Sequence, residues 1–254
     1  MLTTSCKKTL VRIGGERNPA YTSTYVFPND FPAVRADQQV DETSTPKLTK
    51  FEQLIQSESV RGTAEVLCFS PRHDQSMAEM DEDAIYSIIL CWIEAYARLS
   101  KINYVNHVQI FENKGSTMGC SNPHPHGQIW ATEHVPEEPG KEIKNMKKYQ
   151  ILNSSCLLCD YCEIEIDVKS RIVCENDTFI CFVPFWAVWP YETMILPKIH
   201  LSKLTLFTEK QKTDLANILR FEMLAEPQRD ITPEQSAEKL RMCPEIHYKL
   251  SFSD

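Results

Sequence analysis

The sequence predicts an α+β fold in which an antiparallel sheet is flanked by helices. Three observations carry that prediction. Short β-like runs at residues 62–70, 105–112 and 127–133 lie close together in the chain, an amphipathic helix pattern separates the first two, and two helical patterns follow a second β-rich region near the C-terminus. At 254 residues, 42% hydrophobic and 24% charged, the chain can bury one large core or two small ones.

Residues 1–17 mix Lys and Arg with polar side chains and lack the apolar centre of a signal peptide. An extended segment follows, and then residues 37–50 (DQQVDETSTPKLTK), polar throughout, read as a solvated loop. Val66, Leu67, Cys68 and Phe69 mark a strand. Ile85, Ile88, Ile89, Trp92, Tyr96 and Leu99 then recur at three- and four-residue spacing. Glu79, Asp81, Glu82 and Asp83 stand at the start, where the helix dipole favours acids, so this is a helix packed on a sheet. Residues 136–148 turn charged and predict a surface loop or an exposed helix. Residues 171–185 and 192–196 return to β character, with Trp186 and Trp189 expected to pack the sheet. Helices are expected over 208–223 and 233–242, the second opened by Thr232 as N-cap and Pro233 at N1.

Charge and composition exclude several classes. The formal net charge is −8 and no basic cluster occurs, which argues against a nucleic-acid binder, so an anionic ligand must be held locally. The longest apolar stretch, residues 84–99, carries Glu94 and Arg98 and is too short to span a bilayer. A cytoplasmic location is expected, where the ten cysteines stay reduced as core residues or metal ligands. Cys156, Cys159 and Cys162 (CLLCDYC) could form a metal cluster, but one face of a short amphipathic segment is the simpler reading. His107 and His134 read as satisfied polar side chains.

The chemistry concentrates in residues 119–128, GCSNPHPHGQ. His124, His126 and Gln128 alternate, so in extended backbone they share one face. Pro123 and Pro125 cannot donate ladder hydrogen bonds, which puts the pair on an edge or in a loop entering a strand, stiff and open to a ligand. A fixed neutral imidazole suits covalent nucleotidyl transfer, and a neighbouring Gln can donate to a phosphate oxygen without adding charge.

Residues 111–131 (FENKGSTMGCSNPHPHGQIWA) closely resemble the active-site segment of the galactose-1-phosphate uridylyltransferase family of the histidine-triad superfamily. NPAYTSTYVFPNDFPAV (18–34), EVLCFSPRH (65–73), FVPFWAVWPYETMILPKIH (182–200) and EMLAEPQRDITPEQSAEKLR (222–241) extend the resemblance over nearly the whole chain. It implies a histidine-triad-like fold in two domains, residues 12–150 and 151–254, and a ping-pong transfer. His126 attacks the α-phosphorus of UDP-glucose, glucose 1-phosphate leaves, and galactose 1-phosphate captures the uridylyl group. A carbonyl within the motif is expected to hold the other ring nitrogen of His126, and Gln128 to steady the phosphate. The resemblance further implies uridine contacts from Asn29 and Asp30. A nucleotide and phosphate lining would come from Asn113, Gly119, Cys120 and Ser121, and later substrate contacts from Phe221, Glu222 and Gln228. His73 and His124 fall at two zinc-ligand positions, Glu142 at an iron-ligand position, and family enzymes are homodimers.

The chain also departs from that pattern. The stretch around Cys6 fits no Cys-x-x-Cys pair in register, so any zinc is expected to be weakly held in a partial site. An arginine-bearing N-terminal segment is expected to be missing. Leu219-Arg220 passes straight to Phe221-Glu222, where relatives carry a long stretch with iron ligands, which leaves Glu142 orphaned and the second half of the fold incomplete. Such gaps suggest a shortened form. The competing readings are a related histidine-triad phosphorylase or hydrolase, and an impaired or regulatory isoform that pairs with a full-length subunit.

Overall fold

The computed structural model describes residues 11–12, 15–38, 50, 54, 58–120, 122–189, 191–220 and 232–243. The fold is α+β with two antiparallel sheets. It divides into two compact units, one of Met1–His73 with Glu94–Glu137, the other of Asp74–Ile93 with Glu138–Asp254.

The first unit is built on a four-stranded sheet of β1 (Tyr25–Pro28), β2 (Gly62–Cys68), β3 (His107–Phe111) and β4 (His126–Thr132), in the order β1-β2-β4-β3. Every neighbouring pair is antiparallel, with Cys68 opposite His126, Val66 opposite Gln128, and Phe111 opposite Gln128 from the other side. Period-two alternation gives this sheet two unlike faces. Leu67, Ile129 and Ala131 are buried on one. The last turn of α1 (Glu82–Leu99) is tied to that face by Arg98, whose Nη1 and Nη2 donate to Glu65 Oε1 and Oε2 at 2.9 and 2.6 Å. Tyr25, Phe27, Val66, His126, Gln128, Phe111 and Trp130 occupy the other and are only half-buried. The α1 pattern is as the sequence predicts: Ile85, Ile88, Ile89 and Leu99 are fully buried and Glu82 and Asp83 stand in the first turn.

In the second unit β5 (Ile172–Glu175), β6 (Phe179–Phe182) and β7 (Met194–Pro197) form an antiparallel sheet in that order. β6 is buried on both faces because helices cover both. Ile180 and Phe182 pack with Cys162 of α3 (Leu157–Val168), and Phe179 and Cys181 pack with Ile218 of α4 (Glu209–Leu219). Ala237 and Leu240 of α5 (Pro233–Arg241) close over Val183. Thr208 and Thr232 each cap a helix by accepting from the backbone N–H three residues on, and Pro233 opens α5. The charged stretch after residue 136 is helical, as α2 (Glu137–Asn153), with no buried residue. No helix among the described residues is long and apolar enough to cross a membrane.

Two expectations are corrected. The β-like run 171–185 is broken into β5 and β6, and the chain leaves the sheet at Pro184, which has no N–H to continue the ladder and accepts from Ala187 in a turn. Trp186 and Trp189 therefore lie outside the sheet. They are 48% and 71% exposed, with Trp186 resting on the Tyr161 ring at 4.4 Å. The part of the predicted 208–223 helix beyond residue 220 lies outside the described residues.

One polar link sits inside this apolar unit. Glu165 is fully buried and accepts from Arg171 Nε at 2.9 and 3.1 Å, while Arg171 Nη1 reaches Glu234 at the start of α5 at 2.9 Å. Removing the cation would strand a buried carboxylate. Arg171→Ala should therefore destabilise the fold by about 3–5 kcal/mol in urea unfolding, with the paired change Glu165→Gln/Arg171→Met much less damaging. Equal losses in the two variants would mean that the charge pairing is not what holds these elements.

Candidate active site

Backbone geometry puts the two motif histidines in different surroundings. Asn122 Oδ1 accepts from the N–H of His124 at 3.0 Å, closing a tight Asx turn before Pro123. Phe69 N–H then donates to the Pro125 carbonyl at 3.1 Å, which leads the chain into β4 at His126. His124 is buried. Its Nδ1 lies 2.7 Å from His73 Nδ1 and its Nε2 3.1 Å from the Tyr21 hydroxyl. Burial, with His73 and His126 adding to it, pushes the His124 pKa down to about 4, so this ring is neutral at pH 7.

His126 is half-exposed, and its Nδ1 lies 2.7 Å from the His124 carbonyl oxygen. A carbonyl can only accept, so Nδ1 carries the proton and Nε2 presents a lone pair. Gln128, two residues on and on the same face, has its Oε1 occupied by the indole N–H of Trp130 at 3.3 Å, so its amide NH2 remains to donate outward. Phe111 stacks edge-on against Trp130 at 5.2 Å, and Tyr21, Tyr25 and Phe27 form a run of stacked rings by β1, at the opposite edge of the sheet, with Tyr25 and Phe27 on the same face. The result is a stiff imidazole and an amide donor on a half-exposed aromatic surface.

The remaining sequence-predicted residues fall as follows. Asn29 follows β1 and accepts from Phe31 N–H through its Oδ1 at 2.9 Å, and Asp30 is gripped by Arg12 at 2.6 and 3.0 Å. Asn113 follows β3 and is half-buried. Gly119 adopts φ +83°, a left-handed conformation that suits glycine, and Cys120 Sγ donates to the Asn122 carbonyl at 3.0 Å. Ser121, Phe221, Glu222 and Gln228 lie outside the described residues, as does Cys6. Two residues that sequence reasoning passed over also belong to this arrangement, Asn122 and Trp130, which orient His124 and Gln128, and Lys114 stands out in the segment before it. The Lys114 ammonium is buried with no hydrogen-bond partner among the described residues, in the segment leading to the motif. A lone Lys between a strand and the motif, in a chain of net charge −8, was the available signal.

Metal-ligating residues are distributed unevenly. His73 and His124 supply two nitrogens, and no third His, Cys, Asp or Glu completes a cluster with them among the described residues, so they do not fit a closed four-ligand zinc site. Glu142 lies on the exposed surface of α2 and joins no such cluster. The cysteines of CLLCDYC part company. Cys162 enters the core as a helix-face residue should, whereas Cys156 and Cys159 converge with His200, their ligand atoms all within 4.8 Å of one another.

Solved structures define the class first. A uridylyltransferase mutant superposes with a TM-score of 0.78 over 94% of this chain and 91% of its own at 23% identity. An ADP-glucose phosphorylase from Arabidopsis thaliana superposes at 0.65 over 85% and 63% of the two chains, also at 23% identity. The fold is thus the histidine-triad-like one of uridylyltransferases. Sequence comparison then gives the family: "Galactose-1-phosphate uridyl transferase, N-terminal domain" matches residues 8–136 and the corresponding C-terminal domain matches residues 142–220. The galactose-1-phosphate uridylyltransferase of Schizosaccharomyces pombe is 39% identical over 94% of this chain and 83% of its own length. That of Haemophilus influenzae is 37% identical over 94% and 82%, and that of Rattus norvegicus 33% identical over 96% and 77%. The chain belongs to the galactose-1-phosphate uridyl transferase family, a family of nucleotidyltransferases. The alignment with the S. pombe protein runs over 307 positions against 254 residues here, so that relative carries internal residues this chain lacks.

Gly127 separates His126 and Gln128, and a Cβ there would sit 3.0 Å from both the Phe111 carbonyl oxygen and the Phe69 ring. Gly127→Ala should cost about 1–3 kcal/mol of stability in chemical denaturation, because backbone and a buried ring must both give way. A variant as stable as the parent would show that the strand has slack there.

Proposed function

We propose that this chain transfers a uridylyl group from UDP-glucose to galactose 1-phosphate through a covalent intermediate on His126. The observation that carries the reading is the 2.7 Å contact between His126 Nδ1 and the His124 carbonyl, which leaves Nε2 as a fixed nucleophile. The Nε2 lone pair forms a bond to the α-phosphorus. The bond from that phosphorus to the bridging oxygen breaks, and glucose 1-phosphate departs with the electron pair. The Nδ1 proton stays on the ring and continues to donate to the His124 carbonyl, which steadies the positive charge gained by the imidazole. A phosphate oxygen of galactose 1-phosphate then attacks the same phosphorus and Nε2 recovers its lone pair.

Gln128 is assigned a hydrogen bond to a non-bridging oxygen of the transferred phosphoryl group. Asn29 and Asp30 are assigned to the uridine, Asn113, Gly119, Cys120 and Ser121 to the nucleotide and phosphates, and Phe221, Glu222 and Gln228 to the sugar phosphate. The Lys114 ammonium, buried without a hydrogen-bond partner among the described residues, supports an anionic ligand nearby, since a buried charge left without a partner is costly. No step is routed through zinc or iron. The same reading carries two domains at residues 12–150 and 151–254, a cytoplasmic location and pairing with a second subunit. The nine described cysteines are free, as a reducing compartment requires, and α2 leaves Ile151 and Leu152 exposed for a partner.

Incubation with UDP-glucose alone should add one uridylyl mass to the intact protein and release an equivalent burst of glucose 1-phosphate. His126→Ala should do neither, and an adduct persisting on that variant would place the nucleophile elsewhere. Gln128→Ala should still form the adduct, with kcat reduced by about 10²–10³, the usual cost of losing one donor to a developing oxyanion. A loss confined to KM would assign Gln128 to ground-state binding instead.

A further inference from the structure

We propose that Cys174 and Cys181 form a dithiol that a hydroperoxide oxidises to a disulfide across the hairpin of β5 and β6. The two residues are direct partners in the antiparallel register, with Glu175 opposite Ile180 on one side and Ile172 opposite Phe182 on the other. Paired residues of antiparallel strands have Cα atoms about 4.5–5.5 Å apart, and a disulfide spans about 4.4–6.8 Å between Cα atoms. The two sulfurs already share a hydrogen bond, and neither is in a disulfide. The register shifts by one residue between Ile172 and Cys174, a bulge that lets β5 bend as the bond closes.

The two thiols differ in access and in acidity. Cys174 is half-buried on β5, the outer strand of its sheet, whereas Cys181 is 7% exposed on the central strand. A small peroxide reaches the first and not the second. Their hydrogen bond draws the Cys174 thiol below its ordinary range, and the same bond, with burial, pushes the Cys181 thiol up. The thiolate is the nucleophile, so Cys174 is the sulfur that attacks and Cys181 the one that resolves.

The chemistry balances in two steps. The Cys174 thiolate forms a bond to the outer oxygen of the hydroperoxide, the O–O bond breaks, and the departing alkoxide takes a proton from solvent, leaving a sulfenic acid on Cys174. The Cys181 sulfur then attacks the Cys174 sulfur, the S–O bond breaks, and the hydroxide that leaves takes up the Cys181 proton as water. Two thiols are oxidised and one hydroperoxide is reduced to an alcohol and water. Cys181 packs with Phe179 and Ile218, and Cys174, Phe207 and Leu215 pack against that cluster. A neutral disulfide suits such surroundings and a charged sulfinate does not, so oxidation stops at the disulfide. His126 lies in the other compact unit, and the proposal does not depend on the transfer reaction.

The test treats the full, reduced chain with hydrogen peroxide, blocks the remaining thiols and maps the products by mass spectrometry. Digestion at Glu175 and Asp177, which lie between the two cysteines, should leave fragments holding residues 174 and 181 joined to each other and lighter by two hydrogen atoms, and dithiothreitol should separate them. That readout uses the unaltered protein and needs no variant to fold. In Cys181→Ala the sulfenic acid has no resolving partner, so dimedone should label Cys174. In Cys174→Ala, residue 181 should form neither a cross-link nor a dimedone adduct. No link between 174 and 181 in the parent, a disulfide between Cys156 and Cys159 in its place, a sulfinic acid on Cys174 in the parent, an unlabelled Cys174 in Cys181→Ala, or a dimedone adduct on Cys181 would each overturn the proposal.

Discussion

A single hydrogen bond, from His126 Nδ1 to the His124 carbonyl, is what the rest of the first unit serves. A free imidazole exchanges tautomers and rotates, and either motion takes the reactive nitrogen away from its target. Here the acceptor is a backbone carbonyl, which cannot protonate or swing aside, and it is itself held from both ends. The Asx turn of Asn122 fixes the N–H side of His124, and the Pro125 carbonyl accepts from Phe69 on the other. Prolines at 123 and 125 remove competing donors from this stretch, so the carbonyl of His124 stays available to the ring.

The sheet explains why such precision is sustained on a half-exposed surface. Leu67, Ile129 and Ala131 anchor β2 and β4 from behind, and the Arg98–Glu65 fork joins that face to the end of α1. A one-residue slip of β4 would turn His126 and Gln128 into that core and Ile129 out toward water, a change with a heavy apolar cost. The register that buries the core is therefore the register that presents the His126 imidazole. Gly127 belongs to both demands, because only the smallest residue lets the strand approach Phe69 and the Phe111 carbonyl while its two neighbours face outward.

Much of this was legible in the sequence because the signals were local. Alternation of His126 and Gln128, the proline brackets, the α1 stripe and the Thr232-Pro233 helix start each depend on a few adjacent residues, and each has its counterpart in the structure, whereas His124, expected to extend that row, lies in a bend before β4 and is buried beside His73. What stayed hidden depends on distant partners. Nothing near Trp186 and Trp189 in the chain announces that Pro184 ends the ladder and sends them outward. CLLCDYC reads as an amphipathic face until His200 is brought beside it across the sheet, and then only Cys162 behaves as that reading requires. The orienting contact of Trp130 with Gln128 was equally silent, since an indole on a strand reads simply as apolar surface.

Charge supplies the last constraint. A chain of net charge −8 repels a nucleotide at long range, so attraction has to be built at short range from a few oriented groups. The half-exposed face of the sheet carries little formal charge: an imidazole fixed by a carbonyl, a carboxamide whose oxygen is already occupied, and aromatic rings. Neutral donors fixed by their neighbours need not reorganise when charge shifts onto the phosphoryl oxygens, and they lose little to salt screening. Lys114 adds one ammonium with no hydrogen-bond partner among the described residues. Arginine at the same place would carry a wider guanidinium fork to satisfy, whereas a compact ammonium can be met by one phosphate oxygen.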